Sequence, residues 1–234
     1  MKRSIIMGLG ISGSGKSTLM EGLVDLDPEL FEIAISSTTR EPREGEIDGV
    51  HYYFLTEEEF LNRDMIESVQ FNGCYYGVQA SEFERISSEK HILLVVEPNG
   101  ALQIAKYIQE NELDIEPLLI HMSIPLSTIR ENLEKVIIGS DISELKRLEA
   151  IKEDGVEDYS IIADEIASIK EVIKSKKEMI SDRLSRGTIE EDLKALLPEM
   201  KKDNLKIDLS VKVLNGQTTE SVYEWFTLYK KMYK

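Results

Sequence analysis

Short apolar runs alternate with helical spacing along the first half of this chain. Ser4-Ile5-Ile6-Met7-Gly8-Leu9 reads as a strand and Thr18 to Val24 as the helix that follows it. Phe31 to Ile35 predicts a second strand, ending in the polar, Pro- and Gly-punctuated stretch Ser36 to Glu46. His51 to Leu55 is extended. Thr56, with Glu59 three residues on, predicts a capped helix start. Ile66 to Phe71 alternates as a strand, Asn72-Gly73 marks a tight turn, and Tyr75 to Gly77 returns from it. Ala80 to Ser88 is a short helix. His91 to Val96 is continuously apolar, as a strand buried on both faces must be, with Glu97 at its carboxyl end. Ala101 to Glu112 is helical and Pro117 to Met122 is another buried strand. This alternation predicts an α/β fold with a parallel sheet, which binds ligands at the carboxyl ends of its strands.

Beyond Leu126 the pattern changes. A helix is expected over Leu126 to Ile137, ended by Gly139-Ser140. Ile162, Ile166, Ile169, Ile173, Ile180 and Leu184 recur at spacings that mostly sum threes and fours, which predicts a long amphipathic helix. Asp208 to Gly216 reads as a last strand and turn, and Glu220 to Tyr229 as a closing helix.

Composition narrows the function. The 234 residues carry 44 acidic and 28 basic side chains, a formal charge of −16 that repels nucleic acid. One cysteine, Cys74, excludes an internal disulfide and fits a reducing, cytoplasmic setting. The first strand begins at once, so no signal peptide is expected, and no apolar run approaches the ~20 residues of a membrane span. His51, His91 and His121 lie far apart and read as structural.

The link between the first strand and helix carries the clearest chemistry. Gly10-Ile11-Ser12-Gly13-Ser14-Gly15-Lys16-Ser17-Thr18 matches the phosphate-binding pattern G-x-x-x-x-G-K-S, set between a strand and a helix as that pattern requires. Glycines reach backbone angles that let N–H groups wrap an anion, and the helix points its positive end the same way. Lys16 is expected to reach the β/γ-phosphates of a nucleotide and Ser17 to place its hydroxyl on Mg²⁺. The bland alternative is a Gly/Ser-rich surface turn. A second cluster lies in Ser36 to Glu46, where Arg40 and Arg43 stand three apart around Pro42. Arginine grips phosphate through paired N–H bonds, so a second phosphate site is expected, with Tyr52 and Tyr76 as further donors. Core or edge packing is the ordinary fate of such tyrosines.

The block Ser36-Ser37-Thr38-Thr39-Arg40-Glu41-Pro42-Arg43-Glu44-Gly45-Glu46, then Gly49, His51, Tyr52 and Phe54, then Asn72 to Gly77, closely resembles the GMP-binding region of the guanylate kinase family. The resemblance covers residues 4 to 122 well. It implies a P-loop nucleoside monophosphate kinase fold, with a parallel sheet flanked by helices and a small β-rich GMP-binding lobe. It also implies phosphoryl transfer from ATP to GMP or dGMP. Ser36 and Glu67 match residues that bind the guanine base, whose N1–H and N2–H₂ edge offers two donors to a carboxylate. Arg40, Arg43, Tyr52 and Tyr76 match the clamp on the GMP phosphate, and Lys16 and Ser17 the ATP and Mg²⁺ contacts. Glu97 replaces the second of two aspartates that the family carries after the strand. The family's lid motif resembles the late run Arg183-Leu184-Ser185-Arg186-Gly187-Thr188-Ile189-Glu190-Glu191, so Arg183 and Arg186 are the expected lid arginines.

Some fifty residues, about 128 to 178, then stand as an insertion ahead of the lid. The implied organisation is a core of 1–35, 80–125 and 200–234, a monophosphate-binding lobe of 36–79, and a helical insertion and lid of 126–199. Three positions depart from the family. Val78 stands where Ser or Thr contacts guanine, Val95 where the first aspartate stands, and Ala195-Leu196-Leu197 where a further arginine is expected. Arg130, Lys146 or Arg147 of the insertion are candidate substitutes. Two alternatives follow: a kinase for a different or modified nucleotide, and a catalytically weak interaction module. The insertion is a candidate surface for homo-oligomerisation.

Overall fold

The computed structural model describes residues 2–11, 13–43, 45–86, 88–153, 160–185, 208–214 and 218–232. By backbone contacts the chain divides into two compact units, one of 1–10, 15–123 and 189–234, the other of 11–14 and 124–188.

The first unit is built on a five-stranded sheet in the order β2-β7-β1-β8-β9. Its strands are β1 (Arg3–Leu9), β2 (Phe31–Ile33), β7 (His91–Val95), β8 (Ile115–Ser123) and β9 (Asp208–Leu214), and every pairing is parallel. The order follows from the apolar runs. Ile5, Ile6, Met7 and Leu9 of β1 and Ile92 to Leu94 of β7 are buried, so both strands need cover on both faces. Helices α1 (Lys16–Leu26), α4 (Pro98–Glu110) and α7 (Thr219–Met232) belong to the same unit. The chain leaves β1 toward β2 and β7, then returns to the other side for β8 and β9. The strand order therefore reverses at β1, and the crevice at its carboxyl end is where such sheets hold ligands.

A second sheet, in the order β4-β3-β6-β5, is made from β3 (Ser37–Thr38), β4 (Tyr53–Phe54), β5 (Met65–Phe71) and β6 (Cys74–Gln79). The expected Asn72-Gly73 turn closes β5 onto β6, with φ of 50° and 77°, the left-handed pair that suits a two-residue hairpin. The expected capping box is present: Thr56 Oγ1 accepts from Glu59 N, and Glu59 accepts from Thr56 N, opening α2 (Glu57–Leu61). α3 (Ala80–Arg85) leads from this sheet back to β7. The two-residue β3 was not predicted; it lies inside the stretch that reads as a polar loop.

The second unit is a helical hairpin of α5 (Leu126–Glu153) and α6 (Ser160–Ser185). The expected stop at Gly139-Ser140 does not occur, and α5 runs through it. A side chain at Gly139 would meet open space, so the glycine marks neither a turn nor a close approach. Packing against α6 outweighs its helix-weakening effect. Ile138, Leu148, Ile166 and Ile173 are buried, and Asp141–Lys176 and Glu149–Lys170 pair across the helices at 2.6 and 2.8 Å. Ile129, Leu133 and Ile180 form the nearby core, with Ile11, Ile124, Ile137 and Leu184 against it. Arg147, a candidate substitute cation, is held by Glu144 one turn away on the exposed face. Among the described residues, no helix is long and apolar enough to cross a membrane.

Candidate active site

The loop after β1 takes the shape its sequence allows. Gly13 and Gly15 adopt φ of 84° and 90°, left-handed values that side chains resist. A Cβ on Gly13 would also lie 2.6 Å from Leu133 Cγ. Asn132 Nδ2 donates to Gly13 O at 3.1 Å, and Ser14 N donates to Ile11 O at 3.1 Å. Helix α1 starts at Lys16, so its first amides end at this loop. Ser14 Oγ is buried without a protein partner among the described residues. Lys16 Nζ donates to Gly10 O at 2.5 Å. Burial pushes its ammonium below its usual pKa, while the charge of Glu97 works the other way. Gly10 and Lys16 thus meet across the loop, and Ser17 and Thr18 lie in the first turn of α1; Ser12 lies outside the described residues.

Glu97 follows β7 at the amino end of α4, where Pro98 begins the helix. Its charge bears on Lys16 and also on Glu67. Glu67 lies on β5 opposite Val78 and is 6 % exposed. Burial and then Glu97 raise its carboxyl pKa to about 7. Its carboxylate lies beside Gly100 of α4. Val78 is fully buried, so it offers no polar group at the position where the family has a hydroxyl.

Three of the four residues expected to hold a phosphate, Arg40, Tyr52 and Tyr76, lie together. Arg40 meets Glu46 in a two-pronged pair at 2.8 and 2.9 Å and donates to Glu41 O at 2.6 Å. Its guanidinium lies 5.5 Å from the Tyr52 ring centre and 5.7 Å from that of Phe54. Tyr76 bears on the same guanidinium, and the Tyr52 and Tyr76 rings stand edge to face at 6.4 Å. Burial raises the Tyr52 hydroxyl pKa, so it stays a proton donor. Among the described residues, Arg40 Nε is a buried donor without a hydrogen-bond partner. Glu46 also accepts from Arg43 N at 2.7 Å, and Arg40's hydrogen bond pulls its pKa down to about 2. Ser36 accepts from Tyr53 N through its carbonyl at 2.9 Å. Arg43 supplies only a backbone contact within the protein among the bonds described.

A profile described as "Guanylate kinase" matches residues 1–183. The chain belongs to the guanylate kinase family. Guanylate kinase of Chlamydia muridarum is 32% identical to it over 189 residues, covering 75% of this chain and 87% of its own. That of Synechococcus elongatus is 31% identical over 189 residues, covering 77% and 90%. That of Clostridium perfringens strain 13 is 42% identical over 105 residues, 43% of this chain; the match spans 48% of that relative's length. A solved guanylate kinase from Anaplasma phagocytophilum overlaps 98% of this chain and 85% of its own, with a TM-score of 0.48 and 16% identity.

Within this guanylate kinase family member, the sequence reading missed two residues around the site. Glu46 was visible as the last residue of the arginine block, and its place three and six residues after Arg43 and Arg40 is the signal that could have found it. Gly100 sits in a helix with no turn to explain it. Of the expected lid residues, Arg186 lies outside the described residues, and Arg183 falls in α6, where only the backbone is described. Of the histidines, His51 Nδ1 accepts from Ile47 N and His91 Nδ1 from Ser4 N, at 3.0 and 2.9 Å, both structural bonds.

Proposed function

We propose that this chain transfers the γ-phosphoryl group of ATP to GMP or dGMP, giving ADP and GDP or dGDP. The observation that carries the reading is Glu67: a buried carboxylate without a cationic partner among its described contacts, in electrostatic range of Glu97, which itself faces Lys16. A carboxylate is costly to bury unless something pairs with it. The guanine N1–H and N2–H₂ edge supplies two donors to it, whereas the N1 of adenine is an acceptor and repels it.

The chemistry asks little of the protein beyond position and charge. The acceptor is a phosphate oxygen, already an oxyanion at neutral pH, so no general base is needed. Arg40, Arg43, Tyr52 and Tyr76 hold the acceptor phosphate. The loop amides and Lys16 hold the donor phosphates, and Lys16 offsets the charge that spreads over the transferring group. Mg²⁺ fits this site as an ion bound with the nucleotide. Among the described residues no three His, Cys, Asp or Glu converge on a metal, while Ser17 offers the one hard oxygen such an ion takes from a phosphate-binding loop. It would neutralise phosphate charge there. We assign residues 36–79 to the monophosphate-binding lobe and 126–199 to an insertion and lid, with Arg183 and Arg186 acting on the transferred group.

The test is ADP release with ATP and Mg²⁺ against AMP, GMP, dGMP, CMP, UMP and dTMP, with Lys16→Ala as the blank. Turnover confined to GMP and dGMP is expected. Turnover with another nucleotide alone keeps the kinase and refutes the guanine assignment, moving specificity onto Val78 and Val95. Failure to bind ATP would refute the enzyme and favour an interaction module.

A further inference from the structure

We propose that Gly100 is a specificity-determining residue of the monophosphate site, because the space left by its missing side chain is where the Glu67 carboxylate sits. The inference rests on the guanine reading above and deepens it.

Gly100 is the third residue of α4, just after Glu97 and Pro98. It has no positive φ, so the backbone does not demand glycine. Glycine is among the poorest helix formers, and here, unlike at Gly139, its presence in a helix has a steric counterpart. That counterpart is across the unit, on β5. A Cβ at Gly100 would lie 2.7 Å from Glu67 Oε2 and 3.3 Å from Glu67 Cδ, with Val96 Cβ 3.6 Å away. The first contact is closer than a carbon and a carboxylate oxygen tolerate, and the second is tight. The backbone of Glu67 cannot retreat, because its strand is fixed by pairing with β6 and by contacts to α4. Ser68 N, the next amide, donates to Gln103 Oε1, and Gln103 Nε2 donates back to Ser68 O, at 3.1 and 3.2 Å. This reciprocal pair sets the spacing between β5 and α4 one turn beyond Gly100. A methyl group at 100 must therefore move the carboxylate rather than the elements.

The consequence falls on base recognition. Two parallel N–H···O bonds tolerate little displacement before one is lost, and a shift of about half an ångström is enough to lengthen both past the useful range. Hypoxanthine has the N1–H but no 2-amino group, so IMP uses one of these bonds where GMP uses two. Gly100→Ala should therefore penalise GMP more than IMP. Gly100 touches no substrate atom in this argument; it acts by positioning Glu67.

The experiment is steady-state kinetics with GMP and IMP at saturating ATP for the wild type, Gly100→Ala, Glu67→Ala and the double variant, with thermal melts of each. In Gly100→Ala, we expect KM for GMP to rise about tenfold or more, the GMP/IMP ratio of kcat/KM to fall by a similar factor, and KM for ATP to stay put. Thermal stability should change little, since the better helix propensity of alanine offsets the cost of moving the carboxylate. In the Glu67→Ala background the same substitution should change nothing, because no carboxylate remains to displace; that pair also guards against a folding defect. If the wild type prefers GMP and Gly100→Ala keeps that preference and KM, the proposal is overturned and the guanine reading survives. Equal losses from Gly100→Ala with and without the Glu67 carboxylate would also overturn it. A wild type that does not phosphorylate GMP refutes the parent reading and this inference with it.

Discussion

Arg40 and Glu46 are joined by two parallel hydrogen bonds, 2.8 and 2.9 Å long, six residues apart in one loop. The pair leaves Arg40 Nε without a partner among the described residues and holds the guanidinium against Tyr52 and Phe54. A guanidinium that is already oriented loses less entropy on taking a phosphate. Glu46→Gln keeps the shape but removes the charge, and should raise KM for GMP by about 3- to 10-fold with KM for ATP unchanged. Arg40→Lys cannot reproduce the fork and should cost about 100-fold in kcat/KM. Steady-state kinetics decide the sign: a lower KM in Glu46→Gln would mean that Glu46 competes with the phosphate instead of presenting the arginine to it.

Glu82 draws together groups that the sequence keeps far apart. It is 2 % exposed, and accepts from Ile35 N at 2.8 Å, from Tyr53 Oη at 2.9 Å and from Arg85. Ile35 leads into β3, Tyr53 is in β4, and Glu82 is in the helix that leaves β6, so one carboxylate ties the entry and exit of the smaller sheet. Glu82→Ala leaves an amide, a phenol and a guanidinium short of an acceptor, and should cost about 3–5 kcal/mol in urea unfolding. Arg85→Ala leaves the other two bonds in place and should cost less. Equal costs would show that the Arg85 pair, and not the junction, carries the stability.

How much of this was legible in the sequence depends on how local the physics is. The phosphate loop, the Asn72-Gly73 hairpin and the Thr56–Glu59 capping box could be read because neighbouring residues fix each one. The apolar runs of β1, β7 and β8 announced a parallel sheet because strands buried on both faces cannot afford polar alternation. Gly139 misled, since a glycine ends a helix only where nothing else holds it, and α6 holds α5 there. The partners of Gly100 and Glu82 could not be read in this way. Glu67 and Gly100 are 33 positions apart, and only the packing of β5 on α4 makes the glycine's missing side chain meaningful.

Glu67 should make guanine binding and stability pull in opposite directions. Its folded-state pKa of about 7 lies above the ordinary carboxyl value of 4.5, because burial and Glu97 disfavour the charge. The folded protein therefore holds this proton more tightly than the unfolded chain, and stability falls as pH rises from 4.5 through 7. Glu67→Gln should be more stable than the wild type at pH 8, by up to about 3 kcal/mol, and equal to it near pH 4. The same variant should lose its preference for GMP. In the wild type, KM for GMP should climb below pH 7 as the carboxylate takes up the proton and can no longer accept two N–H groups. Glu67→Gln keeps the titration of the GMP phosphate and serves as the control; an identical pH profile in both would refute the assignment.

His91 titrates with the opposite sign. Its Nδ1 accepts the Ser4 amide, and burial, followed by the nearby Lys230, lowers its pKa to about 4. Lys230 is itself buried between the backbone of Lys2 and the Glu116 carboxylate, so its charge is fixed in place. Protonating His91 would turn an acceptor into a donor facing another donor. The unfolded chain takes up this proton near pH 6.5 and the folded chain only near 4, so the contribution is complete above 6.5 and lost as pH falls toward 4. Its full size is about 3 kcal/mol. Over much of that window Glu67 gains what His91 loses, and the wild type should show a nearly flat stability curve between pH 6.5 and 4.5. Replacing either residue exposes the other. His91→Asn should become more stable on acidification from pH 7 to 4.5, and Glu67→Gln less stable, in urea unfolding followed across that range. Parallel slopes in the two variants would show that neither residue governs the acid response.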